Sequence, residues 1–252
     1  MVKLLGTICV QEEFNNMEPI YRRVLIKISG EALAGEKKTG FDFPFVSRVC
    51  ETVKQAVESG VQVGIVIGGG NFWRGVKDGG GKVERVSADR MGMLATAMNC
   101  LAVADVFRQI GADARVMTAV DIQGVGERYD TRRAIEYLEQ GKIVLFGCGT
   151  GMPFFSTDTA ATLRAVEIQA DALLLAKNID GVYSDDPKKN PEAVRFDAIS
   201  YAEVLARRLA VMDSTATSMA MDNALPVVVF ALAEPENILR VLAGEKLGTT
   251  VA

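Results

Sequence analysis

Gly64-Ile-Val-Ile-Gly-Gly-Gly-Asn-Phe-Trp-Arg-Gly75 is the stretch on which the reading of this chain turns. Gly64 to Ile67 read as a buried strand, three glycines follow, and Arg74 stands four residues past the last of them. Three glycines weaken any regular element, yet directly after a strand they have a use. A backbone without Cβ atoms admits a ligand closely, and successive N–H groups can form a concavity for an anion. Arg74 adds a planar fork suited to phosphate oxygens. The spacing is not a dinucleotide fingerprint, because the glycine expected after Gly68-x-Gly70 falls on Trp73, and no GxxxxGK[ST] occurs anywhere in the chain. The competing reading is a flexible loop with no ligand.

Outward from this stretch, strand and helix signals alternate. Strands are expected over Arg23–Ser29, Val61–Ile67, Ala114–Thr118, Lys142–Phe146, Ala172–Ala176 and Pro226–Phe230. Helices are expected over Phe45–Ser59, Ser87–Ile110 with Ser87 as N-cap, Thr131–Glu139, Asp158–Gln169, Tyr201–Ala206, Thr215–Asn223 and Glu236–Ala243. Strands separated by such helices imply βαβ units and a mainly parallel sheet with helices on both faces. The segment Asp185–Pro191 is the most linker-like but short, so one continuous sheet with two functional halves is expected rather than two separate domains.

Composition narrows the function. The chain has 252 residues, 49% apolar and 24% charged, with net charge −4. That balance argues against a sequence-independent nucleic-acid binder, which needs a basic surface. Four widely spaced cysteines without a CxxC read as reduced thiols of a cytoplasmic protein. No uninterrupted apolar run reaches the roughly 18 residues of a membrane span, and the N-terminus lacks the pattern of a signal peptide. Residues 1–20 are expected to be an extension; translation from Met17 and a poorly ordered native tail are equally compatible with its sequence. The chain has no histidine. That removes Ser-His-Asp and Cys-His catalysis and most zinc sites.

In open parallel sheets ligands bind beyond the carboxyl ends of strands, so the strand-to-helix junctions carry the remaining information. Lys27-Ile-Ser-Gly30 sets an ammonium beside a small turn whose N–H groups can face a phosphate; a solvated lysine is the bland alternative. Asp89, read as lying in the first turn of a helix, is either a dipole-compensating acid or a carboxylate for ribose hydroxyls. Gly147-Cys-Gly-Thr-Gly-Met-Pro-Phe-Phe-Ser-Thr-Asp158 offers hydroxyls and N–H groups to a phosphate or a base edge. Asp158 can align a neighbouring lysine and Mg²⁺, although Thr157 or Asp158 as a simple helix cap explains the same residues. Asp180-Gly181 is a turn signal, and nearby Tyr183 and Asp186 can meet an adenine ring and a ribose, or belong to a polar hairpin. Asp213, just before a helix, reads first as a cap.

Two anion-friendly loops, a strand-end lysine, an arginine and several acids, with no nucleophile–base pair, suit phosphoryl transfer. Its transition state needs positioning and charge neutralisation. A phosphate acceptor is already anionic at neutral pH and needs no strong base.

These residues resemble the bacterial uridylate (UMP) kinases of the amino acid kinase superfamily. The resemblance runs from about Tyr21 to the C-terminus and rests on Lys27–Leu33, Ile67–Gly75, Asp89–Thr96, Gly149–Asp158, Asp180–Tyr183 and Val211–Asp213, six motifs in the family's order. It implies a three-layer αβα sandwich, with about 21–170 as the UMP-binding half and about 171–252 as the ATP-binding half. It implies transfer of the ATP γ-phosphate to UMP with Mg²⁺, for which no protein ligand is directly assigned. Carried over, Lys27, Ile28, Ser29, Gly30, Gly70 and Arg74 hold ATP phosphates, with Lys177, Asn178, Tyr183 and Asp186 at the adenosine. Gly69, Asp89, Thr150, Gly151, Met152, Pro153, Phe154, Phe155, Ser156 and Thr157 hold UMP. Lys27, Arg74, Asp158 and Asp213 form the catalytic set. The family also implies homohexamers, GTP as activator and UTP as inhibitor. Gly35–Gly40 matches the GTP-response loop, where Lys37-Lys38 departs from the family's small or acidic residues. The rivals are another small-acceptor kinase of the same fold, and a nucleotide-sensing or storage protein that binds without turnover.

Overall fold

The computed structural model describes residues 18–74, 81–209 and 211–252. In chain order the elements are β1 (Arg23–Ile28), α1 (Gly30–Ala34) with a 3-10 turn at Gly35–Lys37, α2 (Phe43–Glu58), β2 (Gln62–Ile67), α3 (Arg85–Gln109), β3 (Ala114–Thr118) and β4 (Glu127–Arg128). Then follow α4 (Thr131–Glu139), β5 (Ile143–Gly147), α5 (Thr157–Glu167), β6 (Ala172–Lys177), β7 (Val182–Tyr183), β8 (Arg195–Phe196) and β9 (Ala198–Ile199). The chain closes with α6 (Tyr201–Arg207), α7 (Ser214–Asp222), β10 (Val227–Ala231), α8 (Asn237–Leu242) and β11 (Thr249–Val251).

Nine strands form one sheet in the order β4-β3-β5-β2-β1-β6-β10-β11-β9. Every pairing in it is parallel except β10 with β11. β7 and β8 form a separate antiparallel hairpin. The central strands are continuous apolar runs because helices cover both faces. Leu25, Ile26, Ile28, Ile65, Ile67, Leu173 and Leu175 are all buried to 1% exposure or less, and each such burial contributes about 1.5–3 kcal/mol.

One face carries α2, α3 and α8 through Val49, Val53, Cys100, Phe107, Ile238 and Leu242. The other carries α4, α5, α6 and α7 through Leu138, Ala161, Ala165, Val204 and Ala216. The αβα sandwich read from the sequence is therefore the observed fold. Among the described residues α3 alone is long and apolar enough to cross a membrane, yet half of that stretch is buried inside the fold.

Local expectations needed correction at several ends. α2 begins two residues before the expected start, at Phe43, because the Asp42 side chain caps it and Pro44 fits its first turn. Ser87 is not an N-cap: α3 starts at Arg85 after Glu84, with no side-chain cap bond. Asp89 consequently sits in the second turn, out of reach of the first-turn N–H groups. At α5 the cap is Ser156, which accepts from the Thr159 N–H at 3.0 Å, rather than Thr157 or Asp158.

The sheet order places the site. β2, β3 and β5 fill out from one side of β1, after which the chain crosses to β6 on its other side. Strand ends at such a switch point diverge and leave a crevice. The turns after β1, β2 and β5 open onto it.

Candidate active site

A cavity of about 300 Å³ lies over these strand ends, lined among others by Lys27, Gly30, Gly69, Arg74, Asp89 and Thr157. Lys27 comes from β1 and points at the start of α5, where its Nζ meets Asp158 Oδ1 at 2.8 Å. Both side chains are mostly buried, at 12% and 19% exposure. The two residues are far apart in sequence and meet because β1 and α5 pack together. Such a partner offsets the cost of burying a charge, and the pair fixes where the ammonium stands.

The glycines divide the labour in an unexpected way. A Cβ on Gly30 would lie 2.2 Å from the Gly68 carbonyl oxygen, and one on Gly69 would lie 2.9 Å from the Gly92 oxygen and from Ala95 Cβ. These two positions are glycine first because turn and helix approach each other closely. A Cβ on Gly70 would meet only the Glu31 side chain, at 3.2 Å. Arg74 forms an ion pair with Glu31 at 2.7 Å, so the guanidinium stands beside the glycine turn at the cavity mouth.

Across the cavity, Asp89 is held by Arg85 at 2.8 Å and accepts the Phe154 N–H at 2.8 Å. One carboxylate thus ties α3 to the loop after β5. Within that loop Gly149, Gly151, Cys148 and Phe154 all have positive φ, and Met152, Phe154 and Phe155 are exposed. The Arg85 guanidinium lies 5.2 Å from the centre of the Phe154 ring. The loop presents aromatic and apolar surface that a base can stack on, beside polar backbone.

Asp213 stands behind the cavity. It caps α7 by accepting from the Ala216 N–H, and it accepts from the Ser156 hydroxyl at 2.5 Å and from Thr159 Oγ1 at 3.0 Å. Burial acts to raise its carboxyl, but the hydrogen bonds from Ser156, the Ala216 N–H and Thr159 outweigh that and hold it below the usual carboxylate range. The cap read from the sequence is present, and Asp213 also anchors the start of α5.

Lys177 does not reach the cavity. Its Nζ donates to the Val211 carbonyl, and its own carbonyl accepts from the Leu232 N–H. Burial lowers the pKa of this ammonium and Lys27 adds to the effect, while Asp158 opposes it. Lys177 is thus a buried ammonium outside the cavity lining, bonded to the backbone before α7. Tyr183 lies on the β7–β8 hairpin, where its hydroxyl donates to Asp180 at 2.8 Å and Asp180 is paired with Arg195. Asp186 shapes the following turn by accepting from the Lys188 N–H and pairs with Lys189. The cavity brings together Lys27, Ser29, Gly30, Gly69, Gly70, Arg74, Asp89, Thr150, Met152, Phe155, Ser156 and Thr157. Ile28, Asn178, Tyr183, Asp186, Gly151, Pro153 and Phe154 lie outside its lining.

Sequence reasoning missed Glu31 as the partner of Arg74 and missed two buried asparagines, Asn71 and Asn99. Asn71 lies inside the Ile67–Gly75 motif but was given no role, and Asn99 carries no periodic or motif signal.

The family model of the amino acid kinase family matches residues 22–231. A uridylate kinase of Streptococcus thermophilus (strain ATCC BAA-491 / LMD-9) is 52% identical over 236 residues, covering 93% of this chain and 96% of that protein. Among solved structures, a UMP kinase from Bacillus anthracis superposes with a TM-score of 0.88 at 39% identity, covering 92% of this chain and 96% of the other. One from Ureaplasma parvum gives 0.87 at 33% identity, covering 92% and 98%. The fold agrees with these likenesses. The chain belongs to the amino acid kinase family, among its uridylate kinases.

Proposed function

We propose that the protein transfers the γ-phosphoryl group of ATP to UMP, giving ADP and UDP. The observation that carries this reading is the convergence, in one cavity, of the Lys27–Asp158 pair, the glycine turn and the Asp89-anchored loop. The likeness to uridylate kinases favours it over another acceptor or a storage role.

UMP sits on the α3 side of the cavity, with Asp89 accepting from ribose hydroxyls and residues 150–157 around the base and phosphate. ATP phosphates lie over Lys27, Ser29, Gly30 and Gly70. Asn178, Tyr183 and Asp186 serve the adenosine from the hairpin side, while Lys177 acts through charge rather than through an adenine contact. In transfer, a UMP phosphate oxygen attacks the γ-phosphorus in line as the bond to the β-phosphate oxygen breaks, and ADP leaves with that electron pair. No proton need be removed from the acceptor. Lys27, pre-positioned by Asp158, and Arg74, steadied by Glu31, neutralise charge on the group in flight.

A kinase of this family works with a nucleotide-borne divalent cation, and we assign it as Mg²⁺. Among the described residues no three His, Cys, Asp or Glu converge. That suits a cation held mainly by phosphate oxygens with one or two carboxylates. Asp158, paired with Lys27 at 2.8 Å, is the carboxylate that would share in holding it. When bound, the ion would shield charge between the phosphates.

The two functional halves, about 21–170 for UMP and about 171–252 for ATP, are part of the same proposal, as are a cytoplasmic location and regulation by GTP and UTP. A homohexamer belongs to it too; self-association is supported by Met91, Leu94, Met98 and Leu101, exposed at spacings of three and four along α3. They form one apolar stripe, the kind of surface that marks a protein contact.

The test is ADP release from purified protein with ATP and Mg²⁺, offering UMP, CMP, dTMP, carbamate and aspartate separately. Turnover with UMP alone is expected. Turnover with another acceptor, or UMP binding without turnover, would overturn the reading.

A further inference from the structure

Asn71 and Asn99 are 2% and 0% exposed, and their amides face each other. Asn71 Nδ2 donates to Asn99 Oδ1 at 2.9 Å, and Asn99 Nδ2 donates to Asn71 Oδ1 at 2.8 Å. The second proton of Asn99 goes to the Gly68 carbonyl at 2.7 Å, and the second of Asn71 to the Gly40 carbonyl at 2.9 Å. All four amide protons are used. Turning either amide over would set an oxygen against a carbonyl, so the network determines both orientations. The Asn71 backbone carbonyl also accepts from the Gly40 N–H and the Thr39 hydroxyl.

A buried polar pair is a poor source of stability, because an apolar pair of similar shape does about as well. What it supplies is direction. In a planar trans peptide the C=O and the following N–H point opposite ways. Holding the Gly68 oxygen against Asn99 therefore turns the Gly69 N–H toward the cavity that Gly69 lines. The Gly69 oxygen is likewise occupied, by the Phe72 and Trp73 N–H groups, which turns the Gly70 N–H outward. Among the described residues neither Gly69 nor Gly70 donates its N–H to a protein acceptor.

We propose that Asn99, braced by Asn71, is a positioning residue for phosphoryl transfer: it locks the Gly68–Gly69 peptide so that the Gly69 N–H is aimed at the reacting phosphates before they arrive. This rests on the kinase reading above. Pre-aimed donors act on the transition state rather than on ground-state binding. Their loss therefore shows in kcat.

Asn99→Leu keeps the volume and removes the anchor. Expected is a kcat lower by about 10–100-fold, with KM for ATP and UMP within about threefold, measured well below the melting temperature. The double variant Asn71→Leu/Asn99→Leu leaves no orphaned side-chain amide, and only the Gly68 and Gly40 carbonyls lose donors; its kcat, measured well below its own melting temperature, should remain low. A kcat within about twofold of the parent in either variant would overturn the proposal. In ¹⁵N-glycine-labelled protein, the Gly69 amide signal should shift when UMP is added to the parent and stay put in Asn99→Leu. Equal shifts in both would also overturn it, and this readout needs no turnover. A parent that makes no ADP from UMP refutes the reaction, whereas an active parent with an undiminished Asn99→Leu refutes only the positioning role.

Discussion

Replacing Lys27 with alanine removes an ammonium that stands 2.8 Å from Asp158, and the consequences for stability and for catalysis can be separated. Breaking a fully buried pair by deleting one partner costs about 3–5 kcal/mol, and an exposed pair contributes at most about 1 kcal/mol. With side chains 12% and 19% exposed, the cost falls between these limits, at about 2 kcal/mol. For a chain of 252 residues that corresponds to a fall in melting temperature of about 4–8 °C. Loss of one pre-organised donor at a developing charge lowers kcat by about 10²–10³-fold, or roughly 2.7–4 kcal/mol. Calorimetry reads the first effect and a coupled ADP-release assay with UMP and ATP reads the second. The double variant Lys27→Ala/Asp158→Asn resolves them, since a neutral amide has no orphaned charge to bury. Its melting temperature should recover most of the loss while kcat stays low. Near-parent turnover in Lys27→Ala would remove Lys27 from the mechanism. Recovery of kcat in the double variant would show that the unpaired carboxylate, not the missing cation, had been the fault.

Asp89→Asn retains an acceptor for the Phe154 N–H but loses the charge, and it should raise KM for UMP about tenfold, as expected for a lost charge-assisted hydrogen bond. An equal rise in KM for ATP would displace UMP from that side of the cavity. The Asp213 carboxyl titrates below its ordinary range in the fold, so its contribution to stability is complete above about pH 4 and is lost as pH falls through the lower folded value. In melting curves against pH, Asp213→Asn should lie below the parent at neutral pH and converge with it in acid; a gap that widens toward acid would contradict the assignment. Leu94→Glu places a charge in the exposed stripe of α3 and should lower the mass measured by light scattering while leaving the monomer folded. An unchanged mass would take α3 out of the assembly.

The parts legible in the sequence are those where burial imposes a pattern on neighbouring residues. β1, β2 and β6 could be read as strands because both faces are covered and the runs stay apolar. α4 has the expected bounds, Thr131–Glu139, with Gly141 just beyond its end as the stop; the Asp130 cap at its start is seen only in the structure. The strands β4, β7, β8 and β9 have two residues each, too few for any period to show. They exist only because an adjacent strand supplies their hydrogen bonds. α1 is five residues long and hides inside a motif.

The chemistry divides along the same line. Lys27, Arg74, Asp89 and Asp158 were legible because each sits at a strand-to-helix junction, where local sequence and chain direction together point at a ligand. Their partners were not. Glu31 beneath Arg74, Ser156 against Asp213, and the reciprocal amides of Asn71 and Asn99 join residues from different elements. Lys177, placed at the adenosine by the family resemblance alone, points inward, toward Val211. The sequence by itself determined which of the longer segments become strands and helices and which junctions are rich in glycine and charge, because those properties arise among near neighbours. Only the tertiary structure decided which charges pair and where the backbone N–H groups point. Those depend on distances between elements set by packing across the sheet, and no local pattern encodes such distances.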